Sequence, residues 1–108
     1  MLTLPIKESW LREIWEQRKF EEYRTDSEYW DARLLRYENK VVKVRLRAGY
    51  QRKSPAVVCV VVPKRRQMGR REWGAPEKPC WVLEILGIQA FERRTGDAEQ
   101  TDGEETEL

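Results

Sequence analysis

The residues best suited to chemistry concentrate at positions 17–24, QRKFEEYR, where carboxylates, cations and aromatics share eight positions. Read as a strand, Phe20, Glu22 and Arg24 fall on one face and Lys19, Glu21 and Tyr23 on the other. Phe20 marks the first face as the inward one, so Glu22 and Arg24 are expected to be partly buried together. An isolated buried charge is costly, so each needs a pairing or hydrogen-bonding partner. Glu22 is suited to accept from the amino edge of a base or modified nucleoside, while Arg24 orients that base or meets a phosphate. The competing reading is an internal ion pair that only locks the fold. Lys19 has the chemistry of an electrophilic or general-acid lysine; a nucleophilic role would require a depressed pKa. Lys7 precedes a helix N-terminus, where free backbone N–H groups already favour an anion.

The sequence contains no histidine and two cysteines. That excludes Ser-His-Asp and Cys-His nucleophile arrangements and histidine zinc sites, and two cysteines cannot close a structural zinc site. No metal and no cofactor is expected. Cys59 and Cys80 sit inside the apolar runs VVCVVV and PCWVLEILGI, where a small buried thiol is the ordinary role.

The elements that must position these groups follow from periodicity. LTLPIK (2–7) reads as a short strand. Ser9 is placed to cap a helix of about ten residues whose apolar stripe is Trp10, Leu11, Ile14 and Trp15. KFEEYR (19–24) follows as a strand. Thr25-Asp26-Ser27 supplies capping chemistry for a short helix over 28–35. VVKVRLR (41–47) alternates strictly, with Val42, Val44 and Leu46 on one face and Lys43, Arg45 and Arg47 on the other. PAVVCVVV (55–62) crosses the core, residues 63–79 form a long basic irregular loop, and WVLEILGI (81–88) is the last strand. Trp10 and Trp15 are expected in the core, Trp30 in the core or on the floor of a cleft, and Trp73 in the basic loop as a surface for stacking an unpaired base.

The chain has 108 residues and a formal net charge of +2, but its signs are segregated. Between Asn39 and Arg71 there are eleven Lys or Arg and no Asp or Glu, whereas residues 95–108 hold six acidic residues and no cation. One domain over 1–94 with an acidic, disordered tail over 95–108 is expected, with a monomer as the default. A basic body of this kind favours a polyanion, nucleic acid ahead of membrane, and RNA ahead of DNA. Its candidate contacts are Lys43, Arg45, Arg47, Arg52, Lys53, Lys64, Arg65, Arg66, Arg70, Arg71 and Trp73. The tail is a candidate tethered competitor for that face. With no apolar leader and no long apolar run, an intracellular location is expected, cytoplasmic with the nucleus also open.

The ordered set Ile6-Lys7, Trp10, Ile14, Lys19, Glu22 and Arg24, followed by YWxxRL (Tyr29, Trp30, Arg33, Leu34), Gly49-Tyr50 with Pro55, and a closing ILGI (85–88), resembles the ASCH domain. That family belongs to the PUA-like β-barrel superfamily. The resemblance spans about residues 4–89 and departs at Gln17, where the family's motif opens with glycine. It implies an α+β fold: a small mixed-strand barrel with a longer N-terminal helix and a short second one. It also implies a cleft between barrel and helix, lined by Lys19, Glu22 and Arg24, with Lys7 and Trp30 as further ligand contacts and a role in RNA binding. The alternative it implies is a small enzyme, an N4-acetylcytidine-type amidohydrolase or a metal-independent ribonuclease, with Lys19 and Glu22 as catalytic groups. In the amidohydrolases a threonine takes the position of Glu22.

Overall fold

The computed structural model describes residues 1–93, so the acidic tail expected over 95–108 lies outside the described residues. The elements run β1 (Leu2–Pro5), α1 (Glu8–Trp15), β2 (Glu21–Arg24), α2 (Glu28–Leu34), β3 (Val42–Arg47), β4 (Ala56–Gln67) and β5 (Cys80–Glu92), with 3₁₀ turns at Leu35–Tyr37 and Arg71–Trp73. The strands form one mixed sheet in the order β1-β3-β4-β5-β2, parallel only between β1 and β3. Val44, Leu46, Val57, Cys59, Val61, Trp81 and Leu83 face the helices and close a core with Leu4, Leu11, Ile14 and Leu34. Cys59 and Cys80 are both buried free thiols.

The expected closed barrel does not form. β1 and β2 are the two edges of the sheet, and the four residues of β2 spend their ladder bonds on β5. One side chain spans the opening instead: Arg24 of β2 donates a hydrogen bond from Nη2 to the carbonyl of Pro5 on β1.

The region expected to be a long loop, 63–79, is largely structured, because β4 runs through Pro63 to Gln67. Proline usually ends a central strand by removing a ladder donor. Here β3 pairs no further than Val61, so no ladder donor is needed from Pro63 on that side, and its carbonyl accepts the Asn39 N–H at 2.8 Å. A bulge between Lys64 and Gln67, with Arg66 at φ 56°, then bends the strand where Arg65 reaches Asp31 of α2 at 2.6 Å. The other Asp31 oxygen accepts the indole N–H of buried Trp81 at 2.9 Å, so one carboxylate ties α2 to β4 and β5.

Helix α1 begins earlier than expected. Lys7, not Ser9, is its N-cap residue and provides no side-chain cap, because the Ile6 N–H still belongs to the sheet through Arg47 and the Lys7 carbonyl already accepts from Leu11. Leu11 and Ile14 are buried, but Trp15 is 42 % exposed and stacks on Phe91 at 4.6 Å rather than entering the core. Ser27 does cap α2, accepting the Trp30 N–H at 3.4 Å.

The helix end explains how Lys19 is delivered. Gln17 takes the left-handed conformation, φ 61°, that glycine usually supplies at a helix C-terminus. The Gln17 N–H bonds Ile14 at 3.0 Å and the Arg18 N–H bonds Glu13 at 2.8 Å, the paired bonds of a Schellman turn. Arg18 braces the turn through Glu13 and Glu16 at 2.8 and 2.6 Å. Because a non-glycine residue in this conformation is strained, Gln17→Gly is expected to raise stability by about 0.5–1 kcal/mol, read as a higher urea midpoint at unchanged slope.

Candidate functional site

The turn at 17–20 changes which side chains face inward. The strand begins only at Glu21, so the alternation expected from Lys19 onward does not apply: Phe20 is 46 % exposed, whereas Lys19 is 1 % and Glu22 6 % exposed. Register places Glu22 opposite Leu83 and Arg24 opposite Trp81, both core-facing residues, which is why these two charges point inward. Tyr23, on the other face, joins Cys80 and Val82 in a second small cluster.

Lys19, Glu22 and Arg24 therefore meet. Glu22 Oε1 lies 3.2 Å from the Lys19 ammonium, and Glu22 Oε2 accepts from Arg24 Nη1 at 2.6 Å. Lys19 also donates to the carbonyl of Trp73 and sits 4.6 Å from the ring centroid of Trp10 and 4.7 Å from that of Tyr23. Arg24 donates further to the carbonyls of Tyr23 and Pro5, with its guanidinium 5.3 Å from the Trp30 ring. Burial pushes the Lys19 amine below its ordinary range, with Glu22 pulling the other way. Both oxygens of Glu22 are thus engaged, and the lysine is closed in by two rings and a backbone carbonyl. Gly74 is part of that enclosure: at φ 92° it suits glycine, and a Cβ there would stand 2.8 Å from the Trp10 ring.

Of the other expected ligand contacts, Trp30 reaches the trio through Arg24. Lys7 is exposed and makes no ion pair with a described residue. Trp73 is not a free stacking surface. Its ring is half-buried, edge-on to Phe20 at 5.9 Å and under Arg70 at 4.9 Å. Trp10 and Tyr23 were not legible as part of the site, since one sits in a helix stripe and the other on the opposite strand face.

The basic stretch divides sharply. Arg45 grips Glu92 at 2.7 and 3.2 Å, Lys64 pairs with Glu84, Arg65 with Asp31, Arg66 with Asp26, Arg70 with Glu72 and Arg71 with Glu77. Lys40, Lys43, Arg47, Arg52 and Lys53 have no carboxylate partner among the described residues. All five lie on β3, just before it, or in the hairpin loop that follows it. That loop also presents Tyr50, 94 % exposed, which the charge pattern alone did not single out.

Among the described residues there is no cluster of metal-ligating side chains, and no helix is long and apolar enough to cross a membrane. Comparison with family models, curated proteins and solved structures returns no match to this chain, and the functional reading rests on its own geometry.

Proposed function

We propose that the protein binds nucleic acid, RNA ahead of DNA, through the unpaired cations of β3 and the β3–β4 hairpin. The observation that supports this reading is the separation of paired from unpaired cations. Six of the eleven positive charges between 39 and 71 are committed to carboxylates, and the five that are not, Lys40, Lys43, Arg47, Arg52 and Lys53, fall on β3 and its flanks. Cations without internal partners keep their counterions, and releasing those counterions on contact with phosphates is what drives non-specific nucleic-acid binding. The resemblance to ASCH domains points in the same direction, but it favours the Lys19–Glu22–Arg24 cleft. Here those three side chains bond chiefly to one another and to backbone carbonyls. We therefore assign affinity to the hairpin side and a supporting role to the trio. No specific observation favours the amidohydrolase or ribonuclease alternative, because Lys19 and Glu22 neutralise each other in a closed setting.

Fluorescence titration with single-stranded and duplex RNA and DNA at about 50 and 200 mM salt tests the proposal. Affinity should fall steeply between the two. The double variant Arg52→Glu/Lys53→Glu should weaken single-strand binding about tenfold or more and flatten the salt slope by roughly 0.7 per lost phosphate contact. Absence of binding at the lower salt, or binding without a salt slope, would sink the proposal.

A further inference from the structure

We infer that Tyr50 is a stacking platform for one unpaired base, with Arg52 and Lys53 holding the phosphates beside it. The inference rests on the nucleic-acid reading above and goes beyond it by naming the contact that recognises a single strand.

The hairpin loop is built rather than loose. The Ala48 N–H bonds the Pro55 carbonyl at 2.8 Å, the Ser54 N–H bonds the Gln51 carbonyl at 3.0 Å, and the Gln51 N–H bonds Ser54 Oγ at 3.3 Å. Gly49 takes φ 133°, and a Cβ there would lie 2.3 Å from Ser54 Oγ, so the turn requires glycine at that point on two counts. The loop closes by packing Ser54 against Gly49, and Tyr50 is left pointing away from the body.

An isolated exposed aromatic is ordinary on a protein surface; this one differs in its company. The other aromatics outside the deep core have a partner: Trp15 stacks on Phe91, Phe20 meets Trp73, Tyr29 meets Trp30 and Arg33, and Lys19 lies between Trp10 and Tyr23. Tyr50 has no ring or cation against it among the described residues and is the most exposed large hydrophobic group. Arg52 and Lys53 are exposed nearby without a carboxylate partner, and Arg47 ends β3 before the loop with its Nε buried and unbonded. An aromatic face among uncommitted cations matches the repeating chemistry of a single strand, in which a flat base alternates with a phosphate. A duplex base is already stacked on both sides and offers no free face.

The test is fluorescence anisotropy with labelled single strands of about ten nucleotides, RNA and DNA, alongside a duplex of equal length and inorganic polyphosphate as a polyanion without bases. Tyr50→Ala should weaken single-strand binding roughly 5- to 100-fold while leaving the salt slope and the affinity for polyphosphate unchanged, and Tyr50→Phe should restore it. Circular dichroism of Tyr50→Ala should match the parent, since the ring packs on nothing. If Tyr50→Ala binds single strands as the parent does, or loses polyphosphate equally, the stacking role is overturned. If Arg52→Glu/Lys53→Glu weakens binding while Tyr50→Ala does not, only the platform falls. If the parent binds none of these polyanions at low salt, the nucleic-acid reading falls with it.

Discussion

Replacing Glu22 with alanine is expected to destabilise the protein by about 3–5 kcal/mol, seen as a large drop in urea midpoint. The magnitude comes from what is left behind more than from the bonds removed. Lys19 would remain 1 % exposed with only the Trp73 carbonyl and two ring faces to solvate its charge. Arg24 would keep its backbone acceptors but lose the carboxylate that fixes it. Set against a typical stability of about 5–15 kcal/mol for a small domain, that loss is a large fraction of the total. Replacing both members of the closed pair, Lys19→Met with Glu22→Leu, should cost less, because the lysine charge goes with its carboxylate and only Arg24 is left to its backbone acceptors. The double variant also separates lock from ligand site. If it folds and keeps nucleic-acid affinity within about twofold, the trio is a lock; a folded double variant that no longer binds would return the trio to the ligand.

Alkaline titration gives the second large effect, through Cys59. Burial, with a smaller contribution from the charge of Glu22, pushes this thiol from 9.0 up to about 12. A raised folded-state value means that the unfolded chain loses its proton first. The stabilisation is complete below pH 9.0 and is lost as pH rises toward about 12. Within that window stability should fall by about 1.4 kcal/mol per pH unit from this group. Cys80 and Tyr23, also raised by burial, act in the same direction, whereas Lys19, lowered by burial, acts in the opposite one. Cys59→Ala isolates the contribution. It should be less stable than the parent near pH 7 by about 1 kcal/mol for the lost packing and then decline more slowly. The two stability curves should converge or cross above pH 9.0, and parallel curves throughout would refute the assignment.

Much of this architecture was readable where one physical rule acts alone. In β3, strict alternation correctly put Val44 and Leu46 inside and Lys43 outside, because a strand with one buried face allows little else. Capping chemistry was readable in Thr25-Asp26-Ser27, and Ser27 is the one of the three that caps α2. Legibility failed where two rules compete. Pro63 and the charges after it argued for a loop, and only knowledge that β3 stops at Val61 shows why β4 tolerates them. Phe20 argued for an inward face, but the left-handed Gln17 resets the phase of the chain, so a lysine is buried and a phenylalanine exposed. The gathering of Lys19, Glu22 and Arg24 was expected from family resemblance; period-two alternation alone placed Lys19 on the wrong side. The pairing of the basic stretch could not be seen at all. The carboxylates that quench it come from Asp26, Asp31, Glu72, Glu77, Glu84 and Glu92, all outside the run that drew attention to the charge.

The strand order has a consequence for how the chain acquires its structure. β1 and β2 occur early in the sequence, yet they occupy opposite edges of a sheet whose centre is β3, β4 and β5. Neither edge strand has its ladder partner until roughly forty or more residues further along the chain have been made, since Leu2 waits for Val44 and Glu22 for Leu83. The β3–β4 and β4–β5 hairpins supply the local pairings, and the N-terminal third joins these three strands at the two edges, β1 on β3 and β2 on β5. During synthesis, the amphipathic helix and the KFEEYR segment emerge before the surfaces that cover them. The many charges on those early segments keep them soluble in that interval, before some of the same charges serve in the finished fold.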